Sequence, residues 1–193
     1  MNTVAVFGGS FDPVQNGHLA LIRALSERFD KTLVVPCRIS PFKTLADIAS
    51  ADDRIRMLEI ALAAYPNVEV SRLETDAAGI SYTYRTIRSV QQMYPSAKIF
   101  LAIGADMLPR LREWKEAEFL RTHVDFFVSE RAGFETESWL NGLRADGYRI
   151  QTSGLRIPDD SSTAVKVDLA FGKNPTVPDG VLRYIADRGL YRK

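Results

Sequence analysis

The sequence predicts an α/β domain with a mostly parallel sheet flanked by helices, and three observations carry that expectation. Short apolar runs of strand length recur along the 193 residues, each followed by a stretch in which apolar residues return at helical spacing. The first run, Val4-Ala5-Val6-Phe7, shows no polar alternation, the mark of a strand covered on both faces. No internal repeat, low-complexity tract or linker interrupts the chain, so residues 1–193 are expected to form one domain.

After the first strand, Gly8-Gly9 lets the backbone turn sharply, and a helix begins near Gly17 with His18, Leu21, Ile22, Leu25 and Phe29 on one stripe. Lys31 to Pro36 is the second strand. Cys37 to Asp53 is a loop longer than most such connections, a length that often carries function, and it holds Pro41, Phe42 and Lys43. Ser50-Ala51-Asp52-Asp53 caps a helix from about Asp53 to Tyr65, with Ile55, Leu58 and Leu62 inward. Val68 to Ser71 is a third strand, and Tyr82 to Met93 a helix with Ile87 and Val90 inward. Lys98 to Ile103 is the most apolar strand and ends at Gly104-Ala105-Asp106. Val124 to Val128 is the fifth strand and Tyr148 to Gln151 a short sixth, with weak helical spacing from Glu135 to Leu143 between them. Asp159 to Thr163 caps a helix through about Phe171, closed by Gly172. The last helix follows Pro178 and stops near Arg188, before Gly189.

Composition excludes several classes of function. A net charge of +1 gives no global basic field, which argues against nucleic acid or an anionic membrane as partner. No apolar run approaches bilayer length and no targeting segment is evident, so the cytoplasm is the expected compartment. Cys37 is the only cysteine, and His18 and His123 are the only histidines, so neither a disulfide nor a dedicated transition-metal site is expected. Self-association is left open.

The N-terminal stretch points to chemistry. A buried strand that ends in glycine and feeds a helix leaves backbone N–H groups aimed at one spot, which attracts anions. Ser10 can add a hydroxyl donor there and His18 an imidazole. The plainer alternative is a tight turn followed by an ordinary first-turn histidine. Asp106, just beyond a buried strand, lies where open α/β sheets place ligands, its alternative being a cap for the next turn. A dehydrogenase is disfavoured, because Gly8-Gly9-Ser10-Phe11 lacks the Gly-x-Gly-x-x-Gly spacing.

Gly8-Gly9-Ser10-Phe11-Asp12-Pro13-Val14-Gln15-Asn16-Gly17-His18 resembles the first signature of the nucleotidylyltransferases that carry a His-x-Gly-His or Thr-x-Gly-His motif, and specifically of the bacterial nicotinate mononucleotide adenylyltransferase family. Pro41-Phe42-Lys43, Ser81-Tyr82-Thr83, Gly104-Ala105-Asp106, Trp114, Arg131 and Ser161-Ser162-Thr163-Ala164-Val165-Lys166 fall in the order that family shows. The resemblance implies a Rossmann-like nucleotidylyltransferase domain. It also implies transfer of the adenylyl group of ATP to nicotinate mononucleotide, releasing pyrophosphate, with Mg2+ carried on the triphosphate and small molecules as the partners. By the same resemblance, His18 and Lys166 are the catalytic pair. Gly8, Gly9, Ser10, Phe11, Gln15, Gly17, Lys43, Gly104, Asp106, Ser162 and Thr163 hold the nucleotide, and Tyr82, Thr83, Trp114 and Arg131 hold the acceptor.

Four positions depart from the family pattern. Gln15 stands for His or Thr, Phe42 for a frequent His, Lys166 for Arg, and Asp160 for an apolar residue. Gln donates a hydrogen bond but carries no charge, and Lys lacks the planar fork of Arg, so these changes predict a weaker hold on phosphate. Two alternatives therefore stand beside the enzyme: a nucleotide-binding paralogue of low turnover, and a transferase with another phosphorylated acceptor.

Overall fold

A computed structural model describes residues 1–39, 48–131, 134, 136–157, 162–171, 173, 175 and 177–191, with Arg131, Arg156 and Ile157 described in their backbone alone. Six strands make one sheet: β1 (Thr3–Gly9), β2 (Lys31–Pro36), β3 (Val68–Val70), β4 (Lys98–Gly104), β5 (Asp125–Arg131) and β6 (Ile150–Ile157). They lie in the order β3-β2-β1-β4-β5-β6, and every pairing is parallel. The chain's first strand is thus central, which explains its unbroken apolar run: Val4 and Val6 face one layer, Ala5 and Phe7 the other, and all four are buried.

One layer is built from α1 (Asn16–Arg28), α2 (Ala51–Leu62), α6 (Ser162–Ala170) and α7 (Asp179–Arg188). Leu21, Ile22, Leu25, Leu58, Val165 and Val181 pack there against Ala5, Phe7, Val34 and Phe100. On the opposite face, α3 (Thr83–Met93), a 3₁₀ helix (Ala105–Glu113), α4 (Ala117–His123) and α5 (Thr136–Ala145) cover Val4, Val6, Leu101 and Phe126 with Ile87, Val90, Leu108, Leu111 and Leu140. Sequential strands run outward from β1 on both sides, so the order of connection reverses between β1 and β4. In an open α/β sheet that reversal opens a crevice at the carboxyl ends of the two strands. Here those ends are Gly8-Gly9 and Gly104.

Most elements fall where the sequence places them, and the differences have physical causes. α2 begins at Ala51 because the Ser50 hydroxyl accepts from Asp53 N at 3.1 Å, and it stops at Leu62 rather than Tyr65. β6 runs from Ile150 to Ile157, not from Tyr148 to Gln151. Tyr148 is buried against Phe126, ahead of the strand, while pairing with β5 carries the polar residues beyond Gln151 into the sheet across an irregularity at Val128/Glu130. Residues 105–123, where the sequence shows no clear periodicity, hold the 3₁₀ helix and α4. α7 ends at Gly189 as expected, with a left-handed φ of 64° and its N–H bonded to Ala186 O. The expected stop at Gly172 lies outside the described residues.

Candidate active site

A cleft of about 530 Å³ opens at the β1/β4 reversal, within the size range of small-molecule sites. Gly8, Gly9 and Ser10 form one wall, and Gln15, Gly17 and His18 at the start of α1 continue it. Gly104 and Asp106 line the β4 side, and Tyr82, Thr83, Trp114 and Lys115 the far end.

The loop after β1 is held from behind. Cys37 N donates to Gly9 O at 2.9 Å, and the guanidinium of buried Arg54 donates to Ser10 O at 2.8 Å and to Ala49 O at 3.2 Å. Gly9 must be glycine, because a Cβ there would lie 2.9 Å from the Phe11 ring. Phe11, expected among the nucleotide contacts, is a packing residue in its side chain. It is 1% exposed, adopts a left-handed φ of 48°, and sets its ring edge-on to Phe7 and His18.

Gln15 and His18 form a reciprocal cap. Gln15 Oε1 accepts from the N–H groups of Gly17 and His18, while His18 Nδ1 accepts from Gln15 N at 3.2 Å. Two of the first-turn amides expected to face an anion therefore bond to Gln15. The cap also fixes the imidazole: Nδ1 accepts a backbone proton, so the neutral ring carries its own proton on Nε2.

α6 reaches this region without lining the cleft. Ser162 Oγ donates to Pro13 O at 3.1 Å, and Lys166 Nζ meets Asp12 Oδ2 at 2.8 Å. Asp12, 3% exposed, also accepts from Ala49 N at 3.0 Å and from Tyr191 Oη at 2.6 Å. Burial and the bond to Asp12 push the Tyr191 hydroxyl pKa far up, so it remains a donor. Thr163 is exposed. Both ends of the chain therefore converge on the Asp12–Pro13 turn, and the Ser162 and Lys166 head groups are bonded to that turn. Lys43, Phe42, Asp160 and Ser161 lie outside the described residues, as does the side chain of Arg131, which ends β5.

At the far end, Lys115 Nζ sits 4.7 Å from the centroid of the Tyr82 ring, and the Arg85 guanidinium lies 5.6 Å from the same ring. Asp106 lies in the first turn of the 3₁₀ helix, where no side chain caps the backbone. Glu74 also lines the cleft, accepting from Thr86 Oγ1 at 2.5 Å, and burial pushes its carboxyl above the usual range against the hydrogen bond from Thr86. Sequence reasoning missed Glu74, Arg54 and the role of Asp12. Arg54 meets the loop at Ser10, 44 residues back, Glu74 bonds across to α3 at Thr86, and Asp12, though inside the first signature, meets partners supplied only by the fold.

Comparison with known proteins agrees with this geometry. Residues 6–167 match the family described as cytidylyltransferase-like. The chain is 30% identical to the nicotinate-nucleotide adenylyltransferase of Bacillus subtilis over 99% of both chains. It is 33% identical to a probable nicotinate-nucleotide adenylyltransferase of Neisseria meningitidis over the whole of both, and 35% identical to one of Treponema pallidum over 98% of both. In fold it is similar to the Plasmodium falciparum nicotinic acid mononucleotide adenylyltransferase solved in complex with NaAD, with a TM-score of 0.82, 20% identity, and 99% and 98% of the two chains covered. A parallel sheet reversing at a glycine-walled cleft, a family match across most of its length, and relatives aligned end to end place the chain in the cytidylyltransferase-like group, as a member of the bacterial nicotinate-nucleotide adenylyltransferase family.

Proposed function

We propose that the protein transfers the adenylyl group of ATP to nicotinate mononucleotide, giving nicotinic acid adenine dinucleotide and pyrophosphate. The observation that carries this reading is the cleft itself, which joins a wall formed by Gly8–Ser10 and His18 to an aromatic end at Tyr82 and Trp114 in one cavity. A reaction between two anionic phosphates needs such an arrangement. The acceptor is already ionised, so an oxygen of its phosphate attacks the α-phosphorus of ATP, the bond to the β-phosphate breaks, and pyrophosphate leaves with the electron pair. No side-chain nucleophile or base is required, and the protein's part is alignment and charge.

His18 Nε2–H and the Gly8–Ser10 backbone are the donors aimed at the oxygens that gain charge. Lys166, at the Asp12 turn, supplies positive charge beside the same loop. Gly104 and Asp106 border the nucleoside, while Tyr82, Thr83 and Trp114 hold the acceptor ring, the indole offering a stacking face. Mg2+ would enter on the triphosphate, where it would neutralise charge while keeping most of its waters.

The test is pyrophosphate release from ATP and Mg2+ with nicotinate or nicotinamide mononucleotide as acceptor. Faster turnover with the nicotinate compound is expected. ATP binding without pyrophosphate release from either would overturn the reading in favour of a nucleotide-binding paralogue.

A further inference from the structure

Glu74 stands where a carboxyl group is least expected, on the wall of a cleft that receives anions, yet it accepts a hydrogen bond from Thr86. We propose that Glu74 is the positioning residue for the acceptor end of the site, holding the first turn of α3 through the Thr86 hydroxyl while Ser81 is tied to the segment after β2, so that the Tyr82–Thr83 dipeptide is clamped between them. The proposal rests on the reading that this end of the cleft takes the pyridine mononucleotide.

A chain of donors makes the case. Arg38 N donates to Ser81 Oγ at 2.9 Å, and Thr86 Oγ1 donates to Glu74 Oε1 at 2.5 Å. Ser81 N is bonded to Ile39 O at 3.0 Å. The residue before Tyr82 is thus tied to the exit of β2, and the residue one turn into α3 to the Glu74 carboxyl group. The start of α3 needs such an anchor, because its N-cap, Tyr82, makes no side-chain cap bond and its first turn holds no acidic residue. Tyr82, Thr83 and Thr86 all face the cleft, so the clamp sets the backbone that an acceptor would meet. Glu74 has no evident role as a base, since an ionised acceptor phosphate has no proton to give up. Its function is to fix geometry, in a reaction where a displacement of about 1 Å can cost as much as a hundredfold in rate.

The experiment compares steady-state kinetics of the wild type, Glu74→Ala, Glu74→Gln and Thr86→Val, with ATP and nicotinate mononucleotide varied in turn. Glu74→Ala should raise the acceptor KM about tenfold while leaving the ATP KM within about twofold, because the Thr86 hydroxyl loses its acceptor. Glu74→Gln keeps one amide oxygen to accept a hydroxyl and should recover most of the loss. Thr86→Val removes one donor at nearly constant shape and should fall between, which keeps the test decisive if Glu74→Ala fails to fold. Equal rises in both KM values, or an unchanged acceptor KM in the folded variants, would overturn the proposal. If the wild type makes no dinucleotide, the functional reading fails instead, and amide hydrogen exchange over residues 82–86 then tests the clamp by itself. Faster exchange in Thr86→Val than in the wild type supports it, and unchanged exchange overturns it.

Discussion

The ammonium of Lys166 lies 2.8 Å from Oδ2 of Asp12, joining residues 154 positions apart across the base of the candidate phosphate loop. Asp12 has a side chain 4% exposed, and that of Lys166 is 26% exposed, so the pair is largely withdrawn from water. Lys166→Met should cost about 2 kcal/mol in urea unfolding, because a buried carboxylate loses its cation while keeping the Tyr191 and Ala49 donors. The double variant Asp12→Asn/Lys166→Met should recover part of that loss. Additive losses in the cycle would show that the two groups do not act on each other.

Gln15 is the N-cap of α1, so Gln15→Ala should lower stability by about 1 kcal/mol, whereas Gln15→Ser, which keeps a capping oxygen, should stay within about 0.5 kcal/mol of the wild type. Equal losses in chemical denaturation would show that the cap contributes nothing.

His18→Ala is expected to lower kcat about a hundredfold with the fold intact, since one aimed donor is lost from the transition state. A change confined to the acceptor KM would instead place the imidazole at the wrong end of the cleft.

Asp125 gives a pH signature. Burial pushes its carboxyl up, but the bonds from Lys98 at 2.7 Å and Arg149 at 2.6 Å outweigh that and hold it below the usual range. A carboxyl group whose folded pKa is depressed adds stability above its unfolded value, near 4, and loses it as pH falls through the folded one. Asp125→Asn should therefore cost about 1 kcal/mol at pH 7, both cations being half exposed, and the difference should vanish in acid. A difference constant with pH would refute the ion-pair origin.

What the sequence made legible was local. Val4–Phe7, Lys31–Pro36 and Lys98–Ile103 read as buried strands because apolar runs without alternation have few other uses, and Gly189 marks its helix end by the left-handed turn it alone favours. The 3₁₀ helix over Ala105–Glu113 escaped notice because Pro109 and a tighter period blur the helical stripe. The polar half of β6 was hidden because strand pairing there follows β5 rather than hydrophobic pattern. At the candidate site, the glycine turn and His18 announce themselves within eleven residues. The partners of Asp12, Arg54 and Glu74 come from other segments, and Gln15 has a capping role that its place in the signature does not announce.

Asp12 takes its bonds from Ala49, Lys166 and Tyr191, the last of them 179 positions along the chain. Cys37 and Arg54 brace the glycine bend from nearby segments, while Lys166 and Tyr191 reach the same turn from more than 150 positions away. A substitution in either of those two remote residues is therefore felt first at Asp12, far from it in sequence but adjacent in space.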